Sequence, residues 1–124
     1  MREFHLDDLD HINAWYAARS WPALAPAQVK MRGFIVPNVA VGFLMQTDAG
    51  VAYLENFCSN PAASPKYVAR VIDQITAELF ALAISLGIEA VAAFTLLPSI
   101  EKRGKRLGMN AHPQTFTLMT KRLI

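Results

Sequence analysis

Val51-Ala-Tyr-Leu-Glu-Asn-Phe-Cys-Ser-Asn-Pro-Ala-Ala-Ser-Pro-Lys-Tyr-Val-Ala-Arg70 runs from an alternating strand through a short loop into a helix. Side chains alternate with period two along a strand, so Val51, Tyr53, Glu55 and Phe57 are expected on one face. Ala52, Leu54, Asn56 and Cys58 are expected on the other. Glu55 is the odd member of an apolar face. Desolvation by its aromatic neighbours would make the carboxylate more basic, as a group that takes a proton from an amine near neutral pH must be. The alternative is a strand-end Glu at the surface or one paired with a nearby Arg. Past Asn60-Pro61, Ser64 suits an N-cap and Pro65 the first helical position. A helix beginning there turns free N–H groups and a positive dipole end outward, with Lys66 and Arg70 adding charge in the same turns. Every helix has such an end, and most bind only water.

The rest of the chain builds a layered frame around this segment. Residues 2–6 read as a short strand. Leu9, Ile12, Trp15 and Tyr16 fall at helical spacing behind Asp7 or Asp8, which predicts a helix over 8–19. Ser20 to Ala27 carries two prolines and reads as a loop. Met31 to Val36 and Val39 to Thr47 read as strands joined by a Pro37-Asn38 turn, the second apolar enough to be covered on both faces. The long helix 65–86 presents Val68, Val71, Ile72, Ile75, Leu79, Leu82, Ala83 and Leu86 as one stripe and stops at Gly87. Ile88 to Leu96 is expected as a buried strand, Pro98 to Leu107 as a short helix ended by Gly108, and Thr115 to Arg122 as a last strand. A parallel step must join the Glu55 strand to the 88–96 strand through the long helix. The order is that of an α/β (α+β) fold with a mixed sheet of about six strands and helices on both faces.

Composition narrows the class. The 124 residues are expected to form a single domain, 1–124, and 53% apolar against 18% charged residues describes an ordered chain. A net charge of +2 does not by itself imply nucleic acid, and no aromatic platform interleaves with the basic run Lys102, Arg103, Lys105 and Arg106. That run reads as a solvated face, as a contact for a phosphate, or as a contact for an acidic partner. The single Cys58 excludes an intrachain disulfide and fits a reducing cytosol. The charged start lacks the apolar run of a signal peptide, and no segment approaches the roughly 18 apolar residues of a membrane span. The expectation is a soluble cytoplasmic protein. Cys58 with the scattered His5, His11 and His112 makes a poor nucleophilic set, and Asp7, Asp8, Asp10 and His11 point to different sides of a helix and cannot converge on a metal. Trp15 is expected in the core; Trp15, Tyr16, Trp21 and Pro22 also offer a hydrophobic wall to a substrate or partner. The apolar residues of 20–29 and the sheet edges leave a homodimer open.

The order of elements, the Asn60-Pro61 exit, the Ala83-Ile-Ser-Leu-Gly87 helix end and the closing Arg106-Leu-Gly-Met109…Phe116-Thr-Leu-Met-Thr-Lys-Arg-Leu123 resemble the GCN5-related N-acetyltransferase (GNAT) superfamily across nearly the whole chain. Residues 33–55 are also similar to small acetyltransferase-like proteins encoded by bacteriophages. The superfamily resemblance implies a wedge between the fourth and fifth strands for acetyl-coenzyme A (acetyl-CoA), lined by Glu55, Phe57 and Cys58 and by Phe94 to Leu97. It implies that backbone near Phe57 pairs with the pantetheine arm and that N–H groups of Lys66, Tyr67, Val68, Ala69 and Arg70 hold the pyrophosphate. Glu55 would be the general base toward an amine acceptor, either a protein or a small molecule. Ser64, Tyr67 and Ala69 stand where the family keeps Arg or Gln, then Gly, then Gly or Ala, and only Ala69 agrees. Gly104 stands where a thiolate-protonating Tyr is often found. Two classes therefore follow from the resemblance: an acetyl-CoA-dependent N-acetyltransferase, or a catalytically silent domain of the same fold that binds a partner protein, a host factor if the phage likeness holds.

Overall fold

The computed structural model describes residues 1–95, 97–112, 114, 117 and 119–123, in two compact units, Met1–Ala93 and Phe94–Ile124. The first unit contains β1 (Arg2–Glu3), α1 (Leu9–Ala17), β2 (Arg32–Val36), β3 (Ala40–Gln46), β4 (Val51–Ser59), α2 (Pro65–Ser85) and β5 (Ala90–Ala92). The sheet runs β1-β2-β3-β4-β5, antiparallel until the parallel β4–β5 pair. The parallel step through the long helix is thus present, and the mixed sheet has five strands among the described residues.

The apolar β3 is covered on both sides, as its composition requires. Val41 and Phe43 point toward α1, packing with Leu9, Ile12, Trp15, Tyr16 and Ile35. Ala40 and Leu44 point the other way, packing with Val71, Ile75, Leu79 and Ala83 of α2. Trp15 is buried, as expected. The α2 stripe seats on the sheet except at its end: Leu86 is exposed, because the chain leaves the helix there and Gly87 takes φ +72° to reverse it.

Three expected elements are shorter or differently built. β1 covers only Arg2–Glu3 because the His5 N–H goes to the Asp8 carboxylate and Leu6–Asp8 winds into a 3-10 turn ahead of α1. Within the expected loop, Pro26–Val29 forms another 3-10 turn that buries Val29. β5 is confined to Ala90–Ala92. The closing strand expected at 115–122 includes residues 115, 116 and 118, which lie outside the described residues. In the second unit, α3 (Pro98–Arg106) carries the four basic residues and a Lys105–Glu101 pair at 3.3 Å, and the chain turns at Gly108 with φ +90°.

Asp8 anchors the entry to α1. It accepts both Arg2 guanidinium nitrogens at 2.7 and 2.8 Å and the His5 N–H at 2.9 Å, and the Arg2 hydrogen bonds, above all, hold its carboxyl down to about 2. A free Asp titrates near 3.9, so this contribution is complete above about pH 4 and is lost as pH falls toward 2. Asp8→Asn is expected to cost about 1 kcal/mol at pH 7. The gap to the parent in thermal unfolding should close as the pH is lowered from 4 to 2.

Candidate functional site

β4 does not keep the simple alternation of its sequence. Register runs from Gln46↔Ala52 to Phe43↔Glu55 and resumes at Val41↔Cys58, leaving Asn56 and Phe57 opposite the single Gly42. This is a β-bulge, and Asn56 takes φ +54°, a left-handed conformation that asparagine tolerates better than most residues. The bulge inverts the facing of everything after it. Tyr53 and Glu55 share the α1 face with Cys58, while Phe57 turns to the α2 face and packs beside Leu54 and Val68. The expected common face of Glu55 and Phe57 is therefore corrected, and the two side chains lie on opposite sides of the sheet. Gly42 permits this, since a Cβ there would come within 2.4 Å of the Phe57 ring.

A bulge also bends its strand. β4 pairs with β5 at Val51↔Ala90, Ala52↔Val91 and Tyr53↔Ala92, then runs on to Ser59 with no further β5 partner among the described residues. From Leu54 onward β4 has a strand partner only in β3 among the described residues. Of the residues expected on the far side of the wedge, 94–97 belong to the second unit, and Leu96 lies outside the described residues.

Glu55 is half-buried on the α1 face opposite Phe43. Cys58 is nearly fully buried beneath α1, and burial pushes its thiol up against the opposing charge of Arg19. Its side chain belongs to the core on the α1 face. Burial likewise pushes the neighbouring Tyr16 up to about 12.

The loop into α2 is organised by Asn60, whose side chain accepts the Ala62 N–H at 3.0 Å and donates to the Asn38 carbonyl at 2.9 Å. Ser64 occupies the N-cap position without the expected side-chain capping bond; its carbonyl takes the Val68 N–H at 2.9 Å. The Ser64 hydroxyl therefore does not consume the first-turn N–H groups of Lys66 and Tyr67. Lys66, Tyr67 and Arg70 are exposed, Val68 packs under the helix, and Ala69 is half-buried. A helix end of this kind, with two cations in its first turns, suits an anion.

Arg19 is the residue that sequence reasoning missed. It donates to the Ser59 carbonyl at 2.7 Å, the Ser59 hydroxyl at 3.0 Å and the Trp15 carbonyl at 3.1 Å, and its guanidinium lies 5.3 Å from the centre of the exposed Trp21 ring. It ties α1 to the end of β4, just past the bulge. No local spacing signals a contact across forty positions. Arg19→Lys is expected to lose about 1.5–3 kcal/mol, since an ammonium cannot reproduce the fork. Thermal unfolding measures it; an unchanged Tm would remove the clamp.

No protein-family model matches the sequence, and no curated protein matches it. Solved structures do match in fold. An acetyltransferase from Trypanosoma brucei is 16% identical, with 96% of this chain and 97% of that one covered, at a TM-score of 0.68. A transcriptional regulator from Bacillus halodurans is 14% identical over 96% and 97%, at 0.71. The aminoglycoside N-acetyltransferase AAC(6')-Iy, in complex with CoA, is 14% identical over 98% of each chain, at 0.65. At these identities the likeness establishes a shared fold and nothing finer.

Proposed function

We propose that this chain is an acetyl-CoA-dependent N-acetyltransferase with Glu55 as its general base. The observation that carries the reading is the bulge at Asn56–Phe57 in a strand whose β5 pairing is confined to Val51–Tyr53 among the described residues, so that backbone from Leu54 onward runs into the α2 N-terminus without a β5 partner. An extended amide-bearing arm followed by a pyrophosphate matches that sequence of groups: strand backbone first, then helix N–H donors with Lys66 and Arg70 beside them. AAC(6')-Iy holds CoA on the same fold. In this chain, backbone beside Phe57 and Cys58 would take the arm, and N–H groups of residues 66–70 the phosphates.

Acetyl-CoA supplies an activated acyl group as a thioester. Glu55 takes a proton from the acceptor ammonium, directly or through water. The freed amine attacks the thioester carbonyl, the C–N bond forms and the C–S bond breaks. The amine nitrogen sheds its second proton to solvent, and the departing thiolate is protonated by water, because Gly104 stands where a Tyr would otherwise donate.

Isothermal titration with acetyl-CoA and with desulfo-CoA tests the reading. Micromolar binding of both supports it, and would mean that Tyr67 accommodates the phosphates. No binding at millimolar ligand overturns it and leaves the fold as a surface for a protein partner.

A further inference from the structure

The link 60–64 between β4 and α2 is closed on Asn60. Its N–H donates to the Val39 carbonyl at 2.8 Å, and its carbonyl accepts the Ala63 N–H at 3.1 Å. Its side chain joins the Ala62 N–H on one side to the Asn38 carbonyl on the other, a contact across 22 positions. The Asn38 carbonyl belongs to the turn between β2 and β3, which the Val39 N–H closes on the Val36 carbonyl at 2.9 Å. Pro37 and Asn38 are its central residues, and Asn38 takes φ +64°, as a type II turn requires after the proline. Ala63, further along the link, packs into the same core as Val39 and Val71. Because Ser64 supplies no side-chain cap, the start of α2 is aimed from outside the helix, by the Asn60 tie to this turn.

We infer, resting on the coenzyme reading above, that Asn60 is a positioning residue for the pyrophosphate. Its backbone N–H and carbonyl and both polar atoms of its side chain are engaged within the protein, so it acts through the link and not on a ligand. By pinning the link to the β2–β3 turn it holds the first N–H groups of α2, with Lys66 and Arg70 beside them, in a fixed direction past the end of β4. Alanine at this position keeps the two backbone bonds and loses the tie to Asn38. The strand that receives the arm of the coenzyme is then unchanged, while the donors that receive its phosphates lose their fixed direction.

The test is isothermal titration of the full chain with acetyl-CoA at about 50 and about 300 mM salt, since screening weakens the charged end of the coenzyme more than its neutral arm. Asn60→Ala should raise Kd about tenfold at the lower salt. The ratio to the parent should shrink at the higher salt, because the interaction lost is the screened one; a general loosening of the site would raise Kd by the same factor at both. Asn38→Gly allows the left-handed turn and should keep Kd within about twofold, whereas Asn38→Val resists it and should match Asn60→Ala. Combining Asn38→Val with Asn60→Ala should add little to either alone, as expected of residues sharing one contact. Thermal unfolding checks that each variant is folded, and Asn60→Ala decides by itself if Asn38→Val is not. An unchanged Kd in Asn60→Ala, or an equal loss at both salts, overturns the role of Asn60 and spares the coenzyme reading. Absence of acetyl-CoA binding by the parent overturns both.

Discussion

Glu55→Gln is expected to lower acetyl transfer by a factor of about 10² to 10⁴ while leaving acetyl-CoA affinity within about twofold. The amide is nearly isosteric, so the half-buried site opposite Phe43 keeps its packing, but it cannot accept the proton that an ammonium must lose before nitrogen attacks. In the proposed reading the coenzyme lies on backbone after the bulge and on the start of α2, away from the α1 face that carries the Glu55 side chain. Steady-state kinetics and titration on the same preparation separate the two quantities. Raising the pH should partly rescue the variant, because a growing fraction of acceptor arrives already deprotonated. Equal activity at neutral pH would remove Glu55 from the mechanism; loss of coenzyme binding would make its role structural.

Phe43→Ala should produce the largest loss of stability, about 3–5 kcal/mol. Phe43 is fully buried in the layer between β3 and α1 and meets Phe4 edge-on at a centroid distance of 4.9 Å. Its ring also fills part of the space that a side chain on Gly33 would need: a Cβ there would come within 2.5 Å of Phe43 Cδ1, and within 2.8 Å of the Gly42 carbonyl oxygen. For a chain of this length the expected drop in Tm is roughly 10–20 °C. Gly33→Ala should destabilise by about 1–3 kcal/mol through overpacking. In the double variant the ring is gone, so the combined loss should fall below the sum of the singles. Additive losses would show that the two residues do not share that space.

The frame of the fold was legible because its signals are local and periodic. The α2 stripe, the stop at Gly87, the Pro37-Asn38 turn and the uniformly apolar β3 each follow from residues a few positions apart, and each appears where those residues place it. The ends of elements were less legible. Whether His5 extends β1 depends on Asp8, which draws the His5 N–H away from the sheet through a carboxylate itself held by Arg2.

The site divides along the same line. Sequence alone determined that a strand bearing a solitary Glu leads through Asn60-Pro61 into a helix with cations in its first turns, because strand propensity, a proline exit and an amphipathic stripe are properties of neighbours in the chain. Only the tertiary structure decided which way the strand's side chains face. A bulge is fixed by the partner strand, here by Gly42, whose missing side chain makes room for the Phe57 ring, and by the register on either side of it. That one extra residue separates Glu55 from Phe57 and buries Cys58 under α1. The Arg19 clamp belongs to the same class, since its hydrogen bonds to Ser59 exist only once α1 lies across the end of β4.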